Sequence, residues 1–197
     1  MMLSASMAQA QSMRQTWIDM PDSLAVFLNK SLRTELVDYV DMKVTAEVTN
    51  LLKEKTSIDT LTADYIRVKL TTATELELKL LPRKAGDSII CMVRTYYGPV
   101  PQSVLTCYDR EWHSIEGTFV PQLPKESFIK KPAEMSEERF ADLMAMTDWQ
   151  LTAFRLSPDD ASLTVSMGFL QLTKEDQEDF DALLAQTKLN WNGEIFK

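Results

Sequence analysis

Between Tyr65 and Leu80 the chain alternates with period two: Tyr65-Ile-Arg-Val-Lys-Leu70, then Glu75-Leu-Glu-Leu-Lys-Leu80. Successive strand side chains point to opposite faces, so this pattern predicts strands with one face on a core and one face in water. Residues 87–97 and 102–109 flank the turn sequence Gly98-Pro-Val-Pro101 and extend the set to a four-stranded antiparallel meander. Upstream, from Pro21 to about Leu52, the spacing is helical. Residues 22–28 read as a short helix, and Ser31 as the N-cap of a second with Leu32, Leu36, Val37, Tyr39 and Val40 on its apolar face. Residues 43–52 mix β-branched side chains with helical spacing and read as a frayed helix end followed by a connector.

Residues 117–134 hold three prolines and no period, as a linker or long crossover would. Beyond them the pattern resumes with a helix at 136–146, a hairpin of 151–156 and 162–167 around Ser157-Pro-Asp-Asp160, a helix at 174–184 capped by Thr173, and a short strand at 188–191. The fold class is therefore α+β: N-terminal helices packed on an antiparallel β-meander, followed by a second helix–hairpin–helix–strand unit. The domain reading is a tail at 1–15, helices plus sheet at 16–116, the linker, and an acidic unit at 135–197 that either joins the first sheet or forms its own.

Charge sharpens this picture. The 197 residues carry a net charge of −8, against the cationic surplus that phosphate binding needs, so nucleic acid is not an expected partner. Residues 134–197 hold 13 acidic and 5 basic side chains, whereas residues 16–133 hold 16 and 15. Much of the excess lies on the 174–184 helix, where Glu175, Asp176, Glu178, Asp179 and Asp181 form either a solvated face or a docking face for a basic partner. No run reaches the ~18 apolar residues of a membrane span. At the other end, Ala8-Gln9-Ala10 fits the small-x-small end of an export signal with Gln11 as first mature residue; a polar tail is the alternative.

Candidate chemistry is sparse. The chain has one histidine and five glycines, and no metal-ligand or phosphate-loop motif, so neither a metal nor a cofactor is expected. Gly86-Asp-Ser-Ile89 has the outline of an esterase block but follows a hairpin turn and lacks the downstream Asp-x-x-His, so it reads as turn chemistry. His113 lies at the end of the fourth strand without a partnered nucleophile. Cys91 and Cys107 sum to 198, the sum required of cross-strand partners around a turn centred on Pro99. Directly opposed Cβ atoms lie about 4.5–5.5 Å apart, so they form either a disulfide or two buried free thiols. Tyr96 and Tyr97 at the hairpin tip read as a recognition loop or as packing under the turn.

Four segments, Met20-Pro-Asp-Ser-Leu24, Leu61-Thr-Ala-Asp-Tyr65, Lys79-Leu-Leu-Pro82 and the run from Ile89 to Pro99, carry a likeness. In their order the chain resembles an uncharacterised family of exported Bacteroidales proteins with no assigned activity. The resemblance implies export, and with it favours the Cys91–Cys107 bridge. It transfers no functional residue. The resulting expectation is an exported, non-catalytic binding or interaction protein of the bacterial envelope, with an unidentified envelope partner. Its candidate contacts are Tyr96, Tyr97, Glu175, Glu178 and Asp179. The alternative is a carboxylate-based hydrolase with its site near His113.

Overall fold

The leucine–charge strands lie at the middle of a larger sheet than the alternation predicts. The computed structural model describes residues 12–146, 150–170 and 173–197. Seven strands run as a simple antiparallel meander: β1 (Glu47–Thr49), β2 (Lys55–Leu61), β3 (Tyr65–Thr71), β4 (Thr74–Pro82), β5 (Ser88–Tyr96), β6 (Gln102–Tyr108) and β7 (Ser114–Ile115). The four expected strands are β3 to β6. The segment read as a frayed helix end instead carries β1, where its β-branched residues Val48 and Thr49 pair with Thr56 and Lys55.

One face of the meander is covered by α1 (Met13–Asp19) and α2 (Lys30–Asp41). The first helix begins inside the expected tail. Ser12 caps it by accepting from the Gln15 N–H, and Met13, Thr16 and Trp17 are fully buried. The second is capped by Asn29, two residues before Ser31, through the Leu32 N–H. Residues 22–28, expected to be helical, form a chain of tight turns wrapped around the buried Arg33 guanidinium. Arg33 donates to the carbonyls of Ile18, Met20 and Leu28 and pairs with Asp22 at 2.8 Å. Within the segment the backbone bonds reach only three residues back, Leu24 to Pro21, Ala25 to Asp22 and Leu28 to Ala25. Arg33 pins both ends through Met20, Asp22 and Leu28, so turns replace the helix that the spacing predicts.

The opposite face is the main departure from the sequence reading. Glu75, Glu77 and Lys79 point away from the helices as the pattern requires, yet they are buried rather than wet. They are covered by a separate three-stranded sheet of order β10–β9–β8, built from β8 (Gln150–Leu156), β9 (Ser162–Phe169) and β10 (Thr187–Asn190). The crossover at 117–134 carries the chain to that layer, with one 3₁₀ turn at Lys125–Phe128. The helices α3 (Glu137–Ala145) and α4 (Lys174–Leu183) belong to the same C-terminal unit. The second core, between the two sheets, contains Val93, Leu81 and both cysteines from the first sheet with Leu163, Val165, Met167 and Phe169 from the second. Period two therefore survives in strands buried on both faces because the covering layer is built to receive charge.

Candidate functional site

In an antiparallel meander alternate turns share an end. The β1–β2 turn, the β3–β4 turn and the β5–β6 hairpin tip thus lie together, and the loop at 21–29 joins them. The Leu51 N–H donates to the Phe27 carbonyl at 3.0 Å, and Arg94 on β5 donates to the Leu24 carbonyl. Asn50 fixes the β1–β2 turn from below. Its amide donates to Thr56 Oγ1 and the Leu70 carbonyl, and its oxygen accepts from the N–H groups of Leu52 and Glu54. These rigid turns present apolar side chains to water: Val26 is 59% exposed, Leu51 62%, Leu52 51% and Tyr96 46%. Clustered exposed apolar groups of this size mark interaction sites more often than isolated ones do.

The two adjacent tyrosines part company here. On β5 the side chains of Ile90, Met92, Arg94 and Tyr96 face the helical layer, whereas Cys91, Val93, Thr95 and Tyr97 face the second sheet. Tyr96 lines a cleft of about 230 Å³ with Val26, Phe27, Leu70, Thr74 and Arg94. Tyr97 lines a second cleft, of about 180 Å³, whose walls include Thr95, Phe154 and Arg155. Both are exposed at their edges, so the tip is a recognition loop in geometry, but its two rings serve different faces. The tip itself is seated on β9: a Cβ at Gly168 would stand 2.4 Å from Val100 Cγ1, so this glycine leaves room for Val100.

Beneath Tyr97 lies a charged cluster that alternation alone does not reveal. The Tyr97 hydroxyl donates to Glu75 at 3.3 Å and accepts from Arg155 at 3.2 Å. Arg155 lies 3.2 Å from Glu75 and 3.7 Å from Glu77, and Arg67 approaches Glu75 at 3.2 Å from the first sheet. Glu77 also accepts from the Tyr65 hydroxyl at 2.6 Å and from the Leu156 backbone N–H at 3.3 Å. Burial pushes the Glu77 carboxyl above the ordinary carboxylate range, against the opposing pull of these donors. The cluster is a satisfied, largely buried seam between the sheets, with Arg155 and Tyr97 at its wet edge.

The remaining candidates are dispersed. On α4, Glu175 and Glu178 are exposed, but Asp179 and Asp176 are both engaged by Arg139 of α3, at 2.6 Å and 2.8 Å. Two of the five carboxylates of the expected acidic docking face are thus taken up in an internal clasp. His113 is exposed at the far end of the meander from the hairpin tip, its ring 3.0 Å from Asp109, whose other oxygen accepts from the N–H groups of Glu111 and His113. Gly86, at φ +89°, and Asp87, paired with Arg83, close the β4–β5 turn as plain turn residues. Cys91 and Cys107 are register partners, stand as free thiols, and are completely buried; burial raises the Cys91 thiol well above its usual range. Among the described residues no group of three His, Cys, Asp or Glu side chains is placed to hold a metal, and no helix is long and apolar enough to cross a membrane. Sequence reasoning missed Val26, Leu51, Leu52 and Arg94, because their grouping depends on a long-range meeting of loops. Val26 sits in the expected helix, Leu51 and Leu52 in the expected connector and Arg94 in an expected strand, so no local signal marked them.

The architecture defines a class: an α+β chain in which two N-terminal helices, a seven-stranded meander and a second three-stranded sheet form successive layers, with two further helices in the C-terminal unit. The chain belongs to a family described as proteins of unknown function, DUF3256, whose model matches residues 5–196. It is similar in fold to a solved domain of an uncharacterized protein from Porphyromonas gingivalis W83. The TM-score is 0.75 at 19% identity, covering 96% of this chain and 98% of that one. Among curated proteins no match is found.

Proposed function

We propose that the protein is an exported, non-catalytic binding protein of the bacterial envelope, and that the sheet end around Tyr96 is its recognition surface. The observation that carries this reading is a group of four exposed apolar side chains: Val26, Leu51 and Leu52 on turns tied down by Arg33 and Asn50, and Tyr96 at the end of β5 beside them. Rigid presentation lowers the ordering cost of association, which favours a binding role for the surface. The Ala8-Gln9-Ala10 pattern and the likeness to exported proteins support delivery to the envelope.

A carboxylate hydrolase near His113 would need two converging acids beside that ring. The paired glutamates of this fold, Glu75 and Glu77, converge on Arg155 instead, and Asp109 is committed to its turn.

Expression in a Bacteroidales host with the native upstream region tests the reading. Export predicts an envelope fraction whose intact mass begins at Gln11; an unprocessed chain in the cytosol overturns it. A photo-crosslinker at position 51 should join a partner in the envelope, and Tyr96→Ser should abolish the adduct. An adduct indifferent to Tyr96→Ser would move the recognition surface elsewhere.

A further inference from the structure

Arg94 and Arg110 differ from the other arginines of this fold in joining no ion pair among the described residues, and of the two Arg94 lines an apolar cleft. Arg33, Arg67, Arg139 and Arg155 each face at least one carboxylate. Arg94 joins no ion pair among the described residues; its one hydrogen bond runs from a terminal nitrogen to the Leu24 carbonyl. Its Nε is shielded from solvent and has no partner. On β5 it stands in register between Leu76 and Val104, so its strand neighbours offer only hydrocarbon. A partly buried guanidinium without a counter-charge is costly in an isolated protein, because one carbonyl offsets only part of its desolvation.

The cleft above it completes the picture. Arg94 is the one charged residue among those lining the 230 Å³ cleft, whose other walls are Val26, Phe27, Leu70, Tyr96 and the hydroxyl-bearing Thr74. An apolar pocket with a single convergent polar group selects a ligand with an apolar body and one complementary head. A guanidinium fork matches a carboxylate in plane and charge. The volume lies below the roughly 300–1,000 Å³ of sites for drug-sized molecules, so the body is no larger than a short chain or one ring.

We infer that this cleft binds a small apolar carboxylate, with Arg94 taking the carboxylate and Phe27, Leu70 and Tyr96 enclosing its hydrocarbon. The inference rests on reading this end of the sheet as the recognition surface, and it names the chemistry that surface takes. Such a group occurs both in free short-chain or aryl acids and at the C-terminus of a peptide ending in a hydrophobic residue.

The test is a titration of the ¹⁵N-labelled protein, followed by amide shifts, with hexanoate and 3-phenylpropionate. Hexanol and 3-phenylpropanamide serve as neutral analogues. A further arm compares Gly-Gly-Phe as free acid and as C-terminal amide. Shifts at Phe27, Leu70, Arg94 and Tyr96 are expected with the acids, and binding about tenfold or more weaker with the neutral forms. Whichever acid arm binds tighter identifies the source. Arg94→Gln should erase the preference for acid over amide. Val26→Trp, at an exposed loop position that leaves Arg94 untouched, should block the cleft to both. Equal binding of acid and amide, an acid preference that survives Arg94→Gln, or shifts confined to other surfaces overturns the inference. A silent titration beside a crosslink still lost in Tyr96→Ser removes the ligand class alone. Acid binding in the cleft beside a crosslink unaffected by Tyr96→Ser removes the partner reading alone.

Discussion

Glu77 of β4 accepts a hydrogen bond from the backbone N–H of Leu156 in β8, so a side chain of the first sheet caps the edge of the second. The outer edge of β8 is tied to the meander again two residues earlier, where Ser103 Oγ accepts from the Phe154 N–H at 3.0 Å. These bonds satisfy edge groups that would otherwise be left unpaired beneath the layer.

Glu77 gives the stability a distinctive dependence on pH. Its folded-state carboxyl titrates above the ordinary range, so the folded chain binds that proton more tightly than the unfolded chain does. Its contribution is most favourable below the unfolded value of about 4.3 and is lost as pH rises through the raised folded value. Glu77→Gln should remove this component, seen as a flatter fall of denaturation midpoint with rising pH than the wild type shows. Glu77→Ala strands the Tyr65 hydroxyl and the Leu156 N–H and should cost about 3 kcal/mol. Urea unfolding across pH 4–8 measures both, and parallel wild-type and Gln curves would refute the assignment.

Arg33 predicts a loss that charge alone does not explain. Arg33→Lys keeps the charge but cannot reach three carbonyls and Asp22 together, so the turns at 21–28 lose their centre. A cost of about 3 kcal/mol lowers Tm by roughly 6–12 °C at this chain length. Calorimetry checks it; a drop no larger than that of an exposed Lys substitution would count against the clamp.

The seat of the hairpin tip can be tested by steric exchange. Gly168→Ala places a methyl against Val100 and should destabilise by about 1–3 kcal/mol. Val100→Ala frees the space, so the double variant should recover most of the loss. Simple additivity of the two changes would mean that the residues do not meet.

The cysteines make a chemical prediction. In protein folded under reducing conditions, Cys91 and Cys107 should resist alkylation until denaturant is added, since both are sealed between the sheets. Protein exported with its upstream region should be lighter by the mass of a hydrogen pair. Two freely alkylated thiols in the exported, denatured chain would exclude the bridge.

How far the sequence could be read depended on distance along the chain. The pairing of Cys91 with Cys107 follows from one turn, because a hairpin's register is local. The hairpin at Ser157-Pro-Asp-Asp160 and the Thr173 cap are equally local, and each lies where its motif placed it. Residues 22–28 carry helical spacing yet fold as turns, because the residue that pins their ends, Arg33, sits on the following helix. Burial of Glu75, Glu77 and Lys79 was illegible for a related reason: the strands that cover them come more than 60 residues later. The candidate site was half visible. Tyr96 announced itself at a turn, but Arg94 gained its meaning only when the loop at 21–29 folded over it.

That separation also has a consequence in time. In a chain that emerges N-terminus first, from the ribosome or into the envelope, the residues of the meander emerge before those that cover its second face. During that interval an uninterrupted apolar face would invite self-association, whereas Arg67, Glu75, Glu77 and Lys79 keep it hydrated. The charges later sealed between the sheets thus act first as a temporary water-facing coat and afterwards as the docking code for the layer that replaces the water. In the folded chain the thiols of Cys91 and Cys107 are sealed between the sheets, so an oxidant reaches them most readily before the second sheet has docked.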